Sequence, residues 1–253
     1  MAVTETGAVT ARGTRMAQAE LVALAEGPLC DAVYQRLLMP AFPPDELLTL
    51  AAIRDGLRTG LLEGLVAVDG DGRPLGVSVG EWSPAARVML LSYLAVAAET
   101  RGTGIGSLLY TTQLDRWRET LRPCLVLAEV ERPDAHTGDA HRGDPQARLR
   151  FYARHGARAL DVPYFQPAFG PGRERVYGML LLALHVDPEL AGSGADTVAA
   201  EPVRQFLTQY LSSAEGSVGD DPATEALRRA VGDPAAVRLL PVDRYGDIAR
   251  SRH

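Results

Sequence analysis

The sequence predicts an α/β (α+β) chain, a sheet of short apolar strands with helices packed on it. Three observations predict it. The strand-like runs 62–68 and 75–82 flank Asp69-Gly70-Asp71-Gly72, a strong hairpin signal. The run 88–96 (VMLLSYLAV) is almost wholly apolar, as expected of a strand buried on both faces. The glycine-rich turn 101–106 then opens a long helical pattern.

The remaining elements follow in order. A helix is expected over 31–38, interrupted by Pro40, Pro43 and Pro44. Asp45 can cap a second helix over 46–57. After the glycine turn, a helix runs to about residue 119 with Ile105, Leu108, Leu109, Thr112, Leu114, Trp117 and Leu121 inward. A strand over 124–131 ends at Arg132-Pro133. Asp144 followed by Pro145 reads as a cap and first helical residue. That helix reaches about His155, with Gly156 as its terminator. Segments 157–166 and 175–184 read as two closing strands.

Composition narrows the chemistry. The 253 residues include no lysine and no asparagine, so all 26 basic residues are arginines. Imine chemistry on lysine, pyridoxal phosphate and a Walker-type lysine are therefore excluded, as are N-glycosylation and a Cys-His-Asn triad. A net charge of -6 argues against a nucleic-acid partner. Cys30 and Cys124 form neither a disulfide framework nor a metal cluster. The residues His136, Asp139 and His141 of one polar loop match no common metal spacing, so no metal is expected. No run of 18 apolar residues predicts a membrane span. The first fifteen residues lack the apolar core of a secretory signal, read as a flexible start, and leave a cytoplasmic protein as the expectation.

The turn Arg101-Gly102-Thr103-Gly104-Ile105-Gly106-Ser107 carries most information. Unpaired N–H groups at a helix start, with the helix dipole, suit a phosphate or pyrophosphate, and glycines let it approach. A dinucleotide fingerprint needs G-x-G-x-x-G, whereas this pattern is G-x-G-x-G. A P-loop needs a lysine. The third pattern, [Q/R]-x-x-G-x-[G/A], is met by Arg101, Gly104 and Gly106.

This last pattern resembles motif A of the GNAT superfamily of N-acetyltransferases, where it cradles the pyrophosphate of acetyl-CoA. A second segment, Leu149-Arg150-Phe151-Tyr152-Ala153-Arg154-His155-Gly156-Ala157, resembles the family's later helix and turn. The family often has phenylalanine where Ala157 stands. The likeness spans about residues 20–185, and the order of elements fits. It implies a GNAT acyl-CoA N-acyltransferase fold, a mixed, mostly antiparallel sheet with helices on both faces. The expected organisation is a flexible 1–15, an acetyltransferase domain over 16–186, and a C-terminal helical extension over 187–253. The extension holds 11 acids and 7 arginines. Helices are expected there over 202–213, with Phe206, Leu207, Tyr210 and Leu211 as the apolar face, and near 223–231.

The resemblance also implies roles. Leu94, Ala95 and Val96 would hydrogen-bond the pantetheine arm of the donor acetyl-CoA. Arg101, Gly102, Thr103, Gly104, Ile105, Gly106 and Ser107 would bind its pyrophosphate. Tyr152 would protonate the departing thiolate. A base must deprotonate the acceptor ammonium, and the strand before the glycine turn contains no acid. Glu129 and Glu131, two residues apart on one strand face, are the candidates, with Glu81 behind them. The same pair could instead sit in solvent or pair with Arg132 or Arg148. Tyr164, Phe165 and Phe169 are candidates for lining the acceptor pocket, for core, or for a lid. The expected reaction is acetyl transfer to a primary amine of a small molecule by direct attack. A non-catalytic CoA-binding regulatory or interaction module of the same fold is the alternative, and a homodimer is left open.

Overall fold

In a computed structural model, residues 19–139, 143–190, 196–232 and 235–252 are described. The flexible start expected over 1–15 lies outside them, as does His141. Among the described residues nine strands join in the order β1 (Glu20–Leu24), β2 (Leu62–Val68), β3 (Pro74–Ser83), β4 (Val88–Val96), β5 (Leu125–Glu131), β7 (Met179–Val186), β6 (Arg158–Leu160), β9 (Ala236–Pro241) and β8 (Thr197–Ala199). The pairings are antiparallel except β4 (Val88–Val96) with β5 (Leu125–Glu131), which is parallel. This is the expected mixed, mostly antiparallel sheet.

The first half is a meander of β1 (Glu20–Leu24), β2 (Leu62–Val68), β3 (Pro74–Ser83) and β4. Asp69 builds the β2–β3 turn, its carboxylate accepting from the amides of Asp71 and Arg73. The edge strand β1 was not expected. Before β2, α1 (Pro28–Val33) widens into a π-helical turn over Tyr34–Leu38 and ends in the short α2 (Met39–Ala41). Pro40 removes a backbone donor there, which favours such a local adjustment. The helix expected over 46–57 begins later, as α3 (Leu50–Thr59). Thr49 caps it, accepting from the Ala52 amide, whereas Asp45 lies in a 3₁₀ turn, Pro44–Glu46.

The long helix after the glycine turn is α4 (Ile105–Thr120). It buries Ile105, Leu109, Tyr110, Gln113 and Trp117. Leu108, expected inward, is 36% exposed, because the sheet-facing stripe runs through 105, 109, 113 and 117 instead. Gly80 and Gly76 of β3 let α4 approach closely, since a Cβ at Gly80 would meet the Trp117 ring at 2.3 Å. Helix α5 (Pro145–Arg154) starts as expected, with Asp144 accepting from the amides of Gln146 and Ala147.

The closing strands differ from expectation. Only β6 (Arg158–Leu160) forms in 157–166, and β7 (Met179–Val186) starts later than 175. Residues 161–178 form a connection in which Gln166 bridges Val176. Proline at 163, 167 and 171 removes ladder donors in this stretch.

Residues after 186 are built into the sheet. Strand β9 (Ala236–Pro241) pairs with β6 and β8 (Thr197–Ala199) pairs with β9. Neither strand was expected, being too short to show a period. Helices α6 (Ala200–Glu215) and α7 (Pro222–Gly232) bury Phe206, Leu207, Tyr210, Leu211 and Leu227 in the core formed with Val88, Leu90, Leu125 and Leu127. The opposite side of β4 and β5, with Met89, Leu91, Val126 and Ala128, carries α4 and α5.

Candidate functional site

Two departures from a regular sheet create the site. At the first, Val79 pairs with Tyr93 and Gly80 with Leu91, so Ser92 is an extra residue in β4. Such a bulge reverses the alternation beyond it. Val88 and Leu90 face the α6 side, and past the bulge it is Tyr93 and Ala95 that join the buried cluster around α1 and α3. Leu94 and Val96 turn instead toward Ile105 and Leu109 of α4. At the second departure, β4 and β5 pair over Val88–Leu91 and Leu125–Ala128 and then separate. The backbone from Ser92 onward is left without a β5 partner.

A groove of about 560 Å³ lies along this separation. Leu94, Ala95 and Val96 line it, as do Arg101, Gly102, Gly104, Gly106 and Ser107 at one end. Gly102 and Gly104 adopt φ of 79° and 94°, left-handed values that favour glycine. Gly104 caps α4 with no side chain, and the first-turn amides of Ile105, Gly106 and Ser107 have no intrahelical acceptor. A Cβ at Gly102 or Gly104 would meet no protein atom within 4 Å, so the space before the helix is open. Two members of the expected cradle stand apart. The amide and hydroxyl of Thr103 are both spent on the Thr100 carbonyl, at 3.3 and 2.6 Å. The Ile105 side chain is buried against Leu65 and Leu75, which leaves only its backbone to the turn.

Glu129, Glu131 and Tyr152 all line the same groove. Glu129 projects to the α6 side, with the parity of Leu125 and Leu127, while Tyr152 comes from α5 on the other side. Tyr164 Oη donates to Glu129 Oε1 at 2.5 Å, and Tyr210 Oη donates to Glu129 Oε2 at 3.2 Å. Burial pushes the Glu129 carboxyl up to about 8, against the lowering effect of these two phenols, and the charges of Glu81 and Glu46 add to the rise. Burial also raises Glu81. Tyr152 is only 5% exposed, and burial holds its phenol above the ordinary value, protonated at neutral pH.

Glu131 is held differently. Arg148 Nη1 donates to its Oε2 at 2.9 Å, and His136 Nδ1 lies 3.7 Å from its Oε1. The pairing with Arg148 anticipated as an alternative is therefore the one present. His136 also bonds the Tyr177 carbonyl through Nε2 at 2.8 Å. Glu99, beside the glycine turn, pairs with Arg73 at 2.8 Å.

Tyr164 touches Glu129, whereas Phe165 is core, under the Arg175 guanidinium, and Phe169 packs against Tyr210. Tyr210 was not recognisable as a partner of Glu129, since it reads as part of an apolar helical stripe. Nor did it show Phe42 and Glu46, which line the groove from the segment after α2.

No family model matches the chain, and no curated protein matches it. Solved structures do. A protein assigned to the GNAT family of acetyltransferases, from Bacteroides thetaiotaomicron, is 21% identical; the alignment covers 76% of this chain and 98% of that one, with a TM-score of 0.52. The chain has the GNAT acetyltransferase fold. An Acinetobacter baylyi protein assigned as an acetyltransferase is 15% identical over 65% of this chain and 92% of its own, TM-score 0.48. The ribosomal-protein-S18-alanine N-acetyltransferase of Escherichia coli is 16% identical over 66% and 95%, TM-score 0.45. Among the described residues, no helix is long and apolar enough to cross a membrane.

Proposed function

We propose that this protein is an N-acetyltransferase that moves an acetyl group from acetyl-CoA to the primary amine of a small molecule by direct attack. One observation carries the reading: Glu129 and Tyr152 enter a single groove from opposite sides of the sheet where β4 and β5 part, and the glycine turn closes one end of it.

The residues fit the donor. The open, side-chain-free turn before α4 suits a pyrophosphate, with Arg101 adding charge. The free edge of β4 at Leu94–Val96 offers backbone groups to the amides of the pantetheine arm. Glu129 accepts a proton from the acceptor ammonium, which frees the nitrogen lone pair. The nitrogen–acyl bond forms as the carbon–sulfur bond breaks. Tyr152 gives its proton to the sulfur and is restored by the second proton that the nitrogen sheds. A carboxyl raised to about 8 matches an amine far better than an ordinary one does. Glu131, neutralised by Arg148, holds that arginine at the groove wall rather than acting as the base.

The test is thiol release from acetyl-CoA with a panel of small primary amines. Amine-dependent release supports the enzyme. Binding of acetyl-CoA with no release across the panel favours the non-catalytic module.

A further inference from the structure

We propose that Tyr210, supplied by the C-terminal helix α6, is a positioning residue for Glu129, so that the segment after residue 186 is part of the active site. The inference rests on Glu129 acting as the base.

The geometry is a two-phenol clamp. The carboxylate of Glu129 receives Tyr164 on Oε1 and Tyr210 on Oε2, which fixes its plane and aims its remaining lone pairs. Tyr164 comes from the connection before β7, but Tyr210 comes from a helix that reaches Glu129 only because α6 packs on the β4–β5 core. Phe206, one turn earlier on the same helix, stacks on the Tyr210 ring at 5.3 Å and steadies it, while Ser83 of β3 secures the helix by donating to Gln209 at 2.6 Å. Below it, Arg175 joins Glu215 at the end of α6 to Asp221 at 2.6 and 2.8 Å. The other groups that interact electrostatically with Glu129 are Glu81 of β3 and Glu46 of the segment after α2, both anionic when ionised, and the buried phenol of Tyr93 on β4, which accepts from the Leu48 amide. The phenols of Tyr164 and Tyr210 are thus the neutral donors that let a carboxylate ionise in this setting. Both phenols stay protonated, since burial and the Glu129 charge hold them far above their ordinary value.

The experiment is the pH–rate profile of the full chain, taken with two acceptor amines of different basicity. Tyr210→Phe keeps the ring and removes the hydroxyl, with Tyr210→Leu as a second variant and circular dichroism reporting the fold. Losing a donor to the charged carboxylate moves the ascending limb up by about one pH unit. The rate at pH 7 then falls about tenfold, recovers at high pH, and KM for acetyl-CoA is unchanged. Thr208→Ala, at an exposed position on the same helix and away from Glu129, leaves the limb where it is. A limb unmoved in Tyr210→Phe, or a loss equal at all pH values, overturns the inference. Glu129→Gln separates the two levels. If it abolishes the limb and Tyr210→Phe does not move it, the inference alone falls. If the limb survives Glu129→Gln, the base assignment falls, and the role of Tyr210 with it.

Discussion

Glu129 and Tyr152 sit on opposite sides of β5, yet both open into the gap left where β4 and β5 stop pairing after Leu91 and Ala128. On the proposed reading, an acyl group threaded through that gap would meet a base on one side and an acid on the other. The separation is what brings the two side chains to one groove, for a continuous β4–β5 ladder would close the sheet between them.

Tyr152→Phe keeps the edge-on aromatic contacts with Tyr110 and Phe151 and removes the proton donor. The expected result is a fall in kcat of roughly 10²-fold with unchanged affinity for acetyl-CoA. Steady-state kinetics at several pH values checks it, and an unaltered kcat throughout removes Tyr152 from the mechanism.

The glycine turn admits a paired test. Gly106 has ordinary helical backbone, and a Cβ there meets Val96 Cγ2 at 3.4 Å, so Gly106→Leu folds and fills the groove. Gly104→Ala meets no protein atom but is strained at its φ of 94°, at a cost of about 1–2 kcal/mol. Calorimetry with acetyl-CoA is expected to show affinity lost in Gly106→Leu, at near wild-type stability. Undiminished affinity there contradicts the proposed location of the pyrophosphate.

Glu129 also ties stability to pH. Its carboxyl is raised from 4.5 to about 8, so between these values the folded state holds more protons than the unfolded state. The contribution is fully present below about pH 4.5 and is lost as pH rises through about 8. Glu129→Gln removes this dependence. Urea unfolding is therefore expected to show the variant gaining on the wild type between pH 5 and pH 9. A stability difference that stays constant over that range argues against a raised carboxyl.

Arg132 is 1% exposed and ties the end of the chain to the sheet. It donates to the carbonyls of Ile248 at 2.9 Å and Tyr245 at 3.0 Å, and to Asp134 at 3.1 Å. Arg132→Met removes these donations and takes the guanidinium from the Ile248 carbonyl, while Asp134 keeps Arg250 and the Tyr245 carbonyl keeps the Ile248 amide, with an expected loss of about 3 kcal/mol in urea unfolding. A loss below about 1 kcal/mol would show that the terminal residues dock independently of it.

Much of the fold was legible wherever burial imposes a period. The apolar run of β4 and the Asp144-Pro145 start of α5 appear where the residues place them. The glycine turn was legible because its backbone needs are specific. The Ser92 bulge was not, since it arises from a mismatch between β3 and β4 that neither strand carries alone. Strands β8 and β9 were hidden because three and six residues give too little alternation. Glu129 was legible as a carboxylate on an expected strand. Its clamp was not, because Tyr210 reads as core in any helical projection and only the packing of α6 brings it to Oε2.

The most direct measurement is the pH dependence of acetyl-CoA thiol release with a reactive primary amine, compared between the wild type and Glu129→Gln. The wild-type rate is expected to rise with a midpoint near 8, and the variant to be slower by about 10² or more and to have lost this limb. A variant that releases thiol at the wild-type rate, with the same limb, contradicts Glu129 as the base.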